Sequence, residues 1–446
     1  MRRRGALLAI AALAAGPALV PASLRSPEAI ADVRPNVIII MSDDQRSDKI
    51  TPQYTPQIWN RLVLGVDPAH PNAATIPFTN SFVSNPECCP SRTTTLSGDY
   101  SHTTGVWDNH LPYGGFSAFD DKHTIAVDFQ QQGYRTALVG KYLNGYAAGK
   151  TTYVPPGWDA WFATNTGAYY DYGVTRRAGP KLVRYGDSPK DYSTRVLTDR
   201  ALRFATAIRA KPFFLYLAFS APHGPAIPEP RDVGRFAGEP DHHYGANQAW
   251  PSSALESAYG VDRAVGKVLN AVPDDTIVIY MSDNGLMWQQ PESDRGVRSG
   301  KRWPYNDSIR VPIVYASLDG TRMPVAGVND IVANVDLRTS LLHAAGLAPL
   351  TSQEGVDWFS AGYVPRSYLE IEHGGEVPTY CGVRTADDMY ARFHEADGSY
   401  TDELFRETPG AVDEATNLWD PSTDLSQELQ GWAEAACDPT PPGFSW

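Results

Sequence analysis

The chain has 446 residues, 42% of them hydrophobic, which allows one large domain with a smaller one beside it, or two to three ordinary domains. Its formal charge is −13, from 38 basic and 51 acidic residues. That balance argues against nucleic acid as a partner and against a broad groove for a long polyanion, because no basic stripe can displace counterions; an anionic substrate stays allowed where positive charge is local.

In chain order, Arg2, Arg3 and Arg4 precede an uncharged Ala/Leu-rich run from Ala6 to Ala15, then Gly16-Pro17 and small residues around Val20-Pro21-Ala22. A basic n-region, a short apolar h-region and a small-residue cleavage site predict a secretory signal peptide over residues 1–22. The run is shorter than the roughly 20 residues of a membrane span. The mature protein is therefore expected to be exported and soluble, with no membrane partner.

Five apolar runs rich in β-branched and aromatic residues are predicted as strands: 36–41 (NVIIIM), 135–140 (RTALVG), 212–219 (PFFLYLAF), 276–281 (TIVIYM) and 311–316 (VPIVYA). Continuous apolar runs suit a sheet covered on both faces. Helical spacing occupies residues 194–210, with Leu197, Leu202, Ala205 and Ile208 toward one face, and residues 253–272, with Leu255, Tyr259, Val265 and Leu269 so placed. A third helix is predicted over 334–347, ending near Gly346. The alternation predicts an α/β domain, residues 34–355, with a mostly parallel sheet flanked by helices. After about Leu350 the texture changes to short strand-like pieces, turns and a helix over 425–436, predicting a smaller C-terminal α+β subdomain over residues 356–446.

An exported chain meets oxidising conditions, and four cysteines allow three pairings. Cys381 and Cys437 read as a disulfide that staples the C-terminal region. Cys88 and Cys89 are then left unpaired, since a bridge between sequence neighbours is strained.

Two strands nearly end alike: one runs into Met41-Ser42-Asp43-Asp44, the other into Met281-Ser282-Asp283-Asn284. Ligands of open α/β sheets bind beyond the carboxyl ends of strands, so both tetrapeptides are expected at one crevice. Asp43, Asp44 and Asp283 would repel there unless a cation sat among them. With the Asn284 carbonyl they form a hard-oxygen set, suited to Ca²⁺ first and Mg²⁺ second rather than Zn²⁺. Lys141, His223 and Lys301 also lie close to strand ends. Singly they read as surface lysines and a loop histidine; together, at one rim beside a metal, they form a receptor for a tetrahedral oxyanion. These residues describe a hydrolase for a charged ester.

The stretch "NPECCPSRTTTLSGDYSH", residues 85–102, places a helix start at the adjacent cysteines, with Pro90 at the first helical position. A helix N-terminus attracts oxyanions and lowers a thiol's pKa, and Arg92 would reach back into the same space. A thiolate nucleophile is one reading, although hydrolysis would leave a thio-adduct with no histidine base evident beside it.

At this point "CCPSRTTTLSG", Cys88 to Gly98, resembles the signature of the formylglycine-dependent (type I) sulfatase family, Cys-x-Pro-Ser-Arg followed by Leu-x-Gly. The resemblance extends from "NVIIIMSDDQ" through "SDNG" and "GKRWPYNDSIRVP" to "DLRTSLLHAAGL". It implies an alkaline-phosphatase-like sandwich fold. It also implies that a formylglycine-generating enzyme oxidises Cys88 to formylglycine (3-oxoalanine), with Cys89 a buried small hydrophobe at the variable position. One hydroxyl of the formylglycine hydrate would coordinate the metal and attack sulfur, expelling the alcohol; loss of a proton from the other would eliminate sulfate. Asp43, Asp44, Asp283 and Asn284 would join Cys88 as metal ligands. Arg92 would hold the hydrate, while Lys141, His223 and Lys301 would bind sulfate oxygens and protonate the leaving group. His102 is a further candidate contact.

The sequence departs from the family pattern where many members carry a histidine two residues after the lysine, as base of the elimination step. Here the stretch reads Lys141-Tyr142-Leu143-Asn144; Asn144 cannot take that proton and is a candidate substrate contact instead. "GKYLNGY" and the Cys-Cys pair resemble the N-acetylglucosamine-6-sulfatase and arylsulfatase branch. The loop "LMWQQPESDRGVRSGK" is expected to line the leaving-group pocket, with Trp288 to stack on a sugar or an aryl group. The expected substrate is a sulfated saccharide or small sulfate ester. A phosphomonoester or phosphonate ester hydrolase, and a sulfated-glycan-binding protein that is never modified, are the alternatives.

Overall fold

The structure is a computed structural model; it describes residues 34–446 other than 166, 180, 208–210, 239–250, 288–299, 376–377, 409–410, 413 and 415. The signal-peptide reading of residues 1–22 lies outside the described residues, as does Trp288. From Arg34 onward the chain forms one compact unit.

Four strands carry the site: β1 (Asn36–Asp43), β2 (Arg135–Lys141), β3 (Phe213–Pro222) and β4 (Thr276–Ser282). They belong to a nine-stranded sheet ordered Ala74–Pro77, Ile313–Ser317, β4, β1, β3, β2, Ala160–Thr164, Gly173–Arg176, Leu182–Arg184. The five strands from β4 to Ala160–Thr164 run parallel, and the pairings outside them are antiparallel.

The isoleucine run of β1 shows why the strand is central. Side chains alternate between faces along a strand. Val37, Ile39 and Met41 enter one core cluster, while Ile38 and Ile40 enter another on the opposite face. The first face is covered by the helices Cys88–Ser97 (α1), Ile125–Gln131 and Leu337–Ala344, and the second by Ser193–Ala207 and Ser252–Leu269. A strand buried on both sides has no position for a polar alternation, so it reads as a continuous apolar run.

Several boundaries differ from expectation. The run at 212–219 continues as strand to Pro222. The segment 334–347 divides into a 3-10 turn, Asn334–Asp336, and a helix, Leu337–Ala344, because the Asp336 carboxylate accepts from both Ala333 N and Val356 N. Leu202 and Tyr259 are only partly buried, and Phe204 and Val261 fill the core at those helices instead. The strands Ala74–Pro77, Ala160–Thr164, Gly173–Arg176 and Leu182–Arg184 lack a long apolar run, since they are short and stand toward the sheet edges.

The C-terminal region forms a separate antiparallel sheet, in order Leu369–His373, Thr379–Arg384, Asp388–His394, Tyr400–Thr408, Ala411–Val412. The helix Asp424–Ala436 lies on it through Leu429 and Ala433 against Val383, Tyr390 and Leu404. Cys381 and Cys437 are disulfide-bonded with their Cα atoms 6.3 Å apart. Among the described residues no helix is long and apolar enough to cross a membrane.

Candidate active site

The two similar tetrapeptides lie side by side. β1 and β4 pair in parallel with Met41 opposite Met281 and Ser42 opposite Ser282, so the residues after each strand emerge together at the carboxyl end of the sheet. There the chain turns sharply: Asp44 has φ +65°, a left-handed conformation that the short Asp side chain tolerates better than most. Asp44 N donates to Asp283 Oδ1 at 3.1 Å and Gln45 N to Ser282 Oγ at 2.8 Å, locking the two turns to each other.

β2 delivers the first cation. Lys141 Nζ lies 2.5 Å from Asp43 Oδ2 and 3.9 Å from Asp283 Oδ2. α1 delivers the second: Arg92 Nε donates to Asp283 Oδ2 at 2.8 Å, and its Nη2 stands 3.4 Å from Asp43 Oδ2. Lys301 Nζ donates to Asp44 Oδ1 and to Cys88 Sγ, each at 2.7 Å. The Cys88 thiol in turn faces Asp43 Oδ1 at 3.6 Å. Just past β3, His223 turns its Nε2 toward Asp44 Oδ2 at 3.7 Å. Its Nδ1 bonds the Gly224 carbonyl at 2.6 Å, so that nitrogen carries the proton and Nε2 is left for the site.

Lys141 is fully buried rather than a surface lysine. Burial alone would favour neutral forms on all these groups. It works against the charge of Asp43, but Lys141, His223 and Arg92 outweigh it and hold that carboxyl below its usual range. Asp44 is likewise held low against burial by Lys301 and His223. Lys141 and Lys301 are raised despite burial, chiefly by Asp43 and Asp44 respectively.

Two expectations about the cysteine helix need correction. α1 begins at Cys88, not Pro90: Glu87 is extended and its carbonyl accepts the first intrahelical bond, from Ser91 N at 3.0 Å. Pro90 is then the third helical residue, where an N–H would have no intrahelical acceptor, so its absence costs nothing. The unmodified Cys88 thiol is also not acidified. Burial and the Asp43 carboxylate push its pKa up more than Lys141 and Lys301 pull it down, which weighs against a plain thiolate nucleophile. Cys89 is buried and unpaired.

Ligand atoms of Asp43, Asp44, Cys88 and His223 all lie within 4.8 Å of one another. The Asn284 amide donates through Nδ2 to Asp44 Oδ1 at 2.6 Å, whereas its Oδ1 is buried and accepts no hydrogen bond. A buried carbonyl oxygen without a donor, beside three carboxylates, suits a hard divalent cation. The oxygen-rich set fits such an ion.

The structure does not bring every candidate to this cluster. The His102 ring bonds Glu354 through Nε2 and Glu372 through Nδ1, both at 3.2 Å, with Glu370 also at 3.2 Å. Asn144 accepts Phe116 N at its backbone carbonyl, and its buried side-chain Oδ1 has no partner. Leu143, the position at which the resemblance implied a histidine base, is buried. Sequence reasoning passed over Glu87 and Asn109. Asn109 Oδ1 accepts Cys89 N at 2.8 Å at the start of α1, and its Nδ2 donates to Glu87 at 2.9 Å. An acidic residue directly before the cysteines was a visible signal for Glu87; nothing local marks Asn109.

Residues 35–347 match the family model described as Sulfatase. The chain is 31% identical over 356 residues to an extracellular sulfatase Sulf-1 homolog of Caenorhabditis elegans, covering 71% of this chain and 47% of that protein. It is 28% identical over 354 residues to the human N-acetylglucosamine-6-sulfatase, covering 70% of this chain and 61% of that protein. The chain thus spans about half the length of the first relative and less than two thirds of the second. Among solved structures, a protein in complex with its substrate D-glucosamine-2-N,6-O-disulfate superimposes with a TM-score of 0.72 at 20% identity, over 92% of this chain and 99% of that one.

Proposed function

The chain belongs to the sulfatase family, and from that premise we propose that it hydrolyses a sulfate ester of a small or terminal substrate, a sulfated saccharide such as N-acetylglucosamine 6-sulfate or an aryl sulfate, to the alcohol and inorganic sulfate. The observation that carries the reading is the position of the Cys88 sulfur, between the Asp43 carboxylate and the Lys301 ammonium at the mouth of the paired β1 and β4 turns.

In this reading a formylglycine-generating enzyme first converts Cys88, and the hydrated aldehyde supplies one hydroxyl to attack sulfur and another whose deprotonation releases sulfate. A divalent ion held by Asp43, Asp44, Asp283 and Asn284, Ca²⁺ by the hard-oxygen set, would polarise the sulfate oxygens. Arg92, anchored on Asp43 and Asp283, holds the attacking group in line from within its own helix. Lys141, Lys301 and His223 bind the charge on the sulfate oxygens as it shifts during transfer, and the leaving group takes its proton from this same set. Buried Leu143 has no proton to exchange, so the elimination step draws on another group at the rim. The pattern of residues 1–22 and the extracellular relative support export of the mature protein. The acidic net charge favours a short substrate over a long polyanion.

The test is peptide mass spectrometry across Cys88 on protein from its native host, followed by parallel assays on sulfate, phosphate and phosphonate esters. Conversion of Cys88 with preference for the sulfate ester is the expected result. An unconverted thiol removes the catalytic reading, and a preference for phosphorus esters reassigns the reaction.

A further inference from the structure

The residue just before Cys88 is an acid, Glu87, and it is 1% exposed. Glu87 Oε1 accepts from Asn109 Nδ2 at 2.9 Å and faces Arg302 Nε at 3.2 Å, while Oε2 stands 3.5 Å from His373 Nε2 at the end of a C-terminal strand. Two of these partners, Asn109 and Arg302, lead back to the reacting centre. Asn109 also receives Cys89 N, at the second residue of α1. Arg302 adjoins Lys301, whose ammonium touches both Cys88 Sγ and Asp44 Oδ1.

The backbone at Arg302 shows that this connection is constrained. Arg302 has φ +85°, a left-handed conformation that costs a residue with a Cβ on the order of 1 kcal/mol or more. Its N–H donates to the Pro86 carbonyl at 3.0 Å, and its guanidinium meets Glu87. Residues 301–302 are thus stitched twice to residues 86–87, immediately before Cys88. Stability alone is a poor reason for the pair, because Arg302 is about a third exposed, and ion pairs with an exposed partner contribute little, whereas burying the carboxylate has a cost.

We propose that Glu87 is a positioning residue of the sulfate-transfer site: by holding Arg302 and Asn109 on one carboxylate, it fixes the ammonium of Lys301 against the modified side chain at position 88. This inference rests on the hydrolase reading above. Glu87 touches neither substrate nor the reacting atoms; it acts through Lys301 and through the start of α1. Misplacement by about 1 Å of a group aligned with the reacting bond can lower a rate about 100-fold without a change in ground-state binding.

The experiment compares wild type, Glu87→Gln, Arg302→Gln and the double variant on a sulfate ester, with rates normalised to formylglycine content measured by mass spectrometry and with Tm recorded for each. Gln keeps the shape at position 87 and still accepts from Asn109, but removes the charge that holds Arg302. The expected result is a 10- to 100-fold lower kcat in each single variant, a KM changed less than about threefold, and a double variant no slower than the worse single one. Singles at the wild-type kcat with only Tm lowered, or effects that multiply in the double variant, overturn the proposal. If Glu87→Gln does not fold, Arg302→Gln at its partly exposed position decides alone: a wild-type kcat there overturns it. A fully converted wild type inactive on every sulfate ester is a different failure, one that removes the hydrolase reading and the inference together.

Discussion

Lys301 and Asn284 test the site one side chain at a time. Lys301 spans the two parts of the centre, the Cys88 sulfur and the Asp44 carboxylate. Lys301→Ala is expected to lower kcat by about 100- to 1,000-fold, the range for removal of one preorganised charge donor, at equal Cys88 conversion. Steady-state kinetics on converted protein checks this; a loss under about fivefold would assign the proton and charge role elsewhere. Asn284→Ala removes the carbonyl oxygen that has no donor. Chelator treatment is expected to abolish activity in wild type, and the Ca²⁺ concentration that restores half of it should rise at least tenfold in Asn284→Ala. Asp43, Asp44, Lys141, His223, Asp283 and Asn284 were legible in the sequence as residues at or just past the ends of apolar runs, where ligands of such sheets bind. What the sequence could not convey was degree of burial: Lys141 reads as a surface lysine until β2 carries it to Asp43, and the Cys88 thiol reads as acidified until burial is counted.

At the scale of elements, the register between β1 and β4 does the positioning, and one glycine on β2 protects the neighbouring pair. Gly140 has φ +121°, and a Cβ there would lie 1.8 Å from the Ala218 carbonyl oxygen on β3. Gly140 and Ala218 are paired across the two strands, so the clash cannot be relieved by turning a side chain. Gly140→Ala is expected to destabilise the protein by several kcal/mol, combining backbone strain with a parted ladder, and to lower activity in whatever fraction folds, because Lys141 follows directly. Urea unfolding with intrinsic fluorescence measures the first effect; a midpoint unchanged within error would mean that the strands part freely at this point. The central strands were legible because burial on both faces writes a continuous apolar run. The short strands toward the edges were not, and neither was the 3-10 turn at Asn334–Asp336, whose cause is a single carboxylate bonded to Val356 across the fold.

At the scale of the whole molecule, the C-terminal sheet is joined to the helices after Cys88 by buried charge. Ser101 N donates to Glu372 Oε1 at 2.6 Å, and the His102 ring lies among Glu354, Glu370 and Glu372. This junction was invisible in the sequence because His102 stands 252 residues before Glu354 and 270 before Glu372, and His102 instead read as a substrate contact. Its charges give stability a pH dependence. Burial, aided by Glu372, raises the Glu370 pKa from 4.5 to about 8, against the pull of His102. The folded protein therefore keeps a proton that the unfolded chain releases above 4.5, and stability declines as pH rises from there to about 8. For His102, burial opposes the charge, but bonds to Glu354, Glu370 and Glu372 carry its pKa from 6.5 to about 12. That contribution is complete below 6.5 and is lost progressively as pH climbs toward 12. Both losses run the same way and overlap between about 6.5 and 8. The Tm is expected to fall most steeply across that interval, with Glu370→Gln and His102→Gln each flattening the profile on the alkaline side of neutrality. Thermal unfolding followed from pH 5 to pH 9 in the three proteins checks this. Parallel profiles, offset but equal in slope, would mean that the junction's charges titrate alike in the folded and unfolded chains, and that shape rather than charge holds the C-terminal sheet to the core.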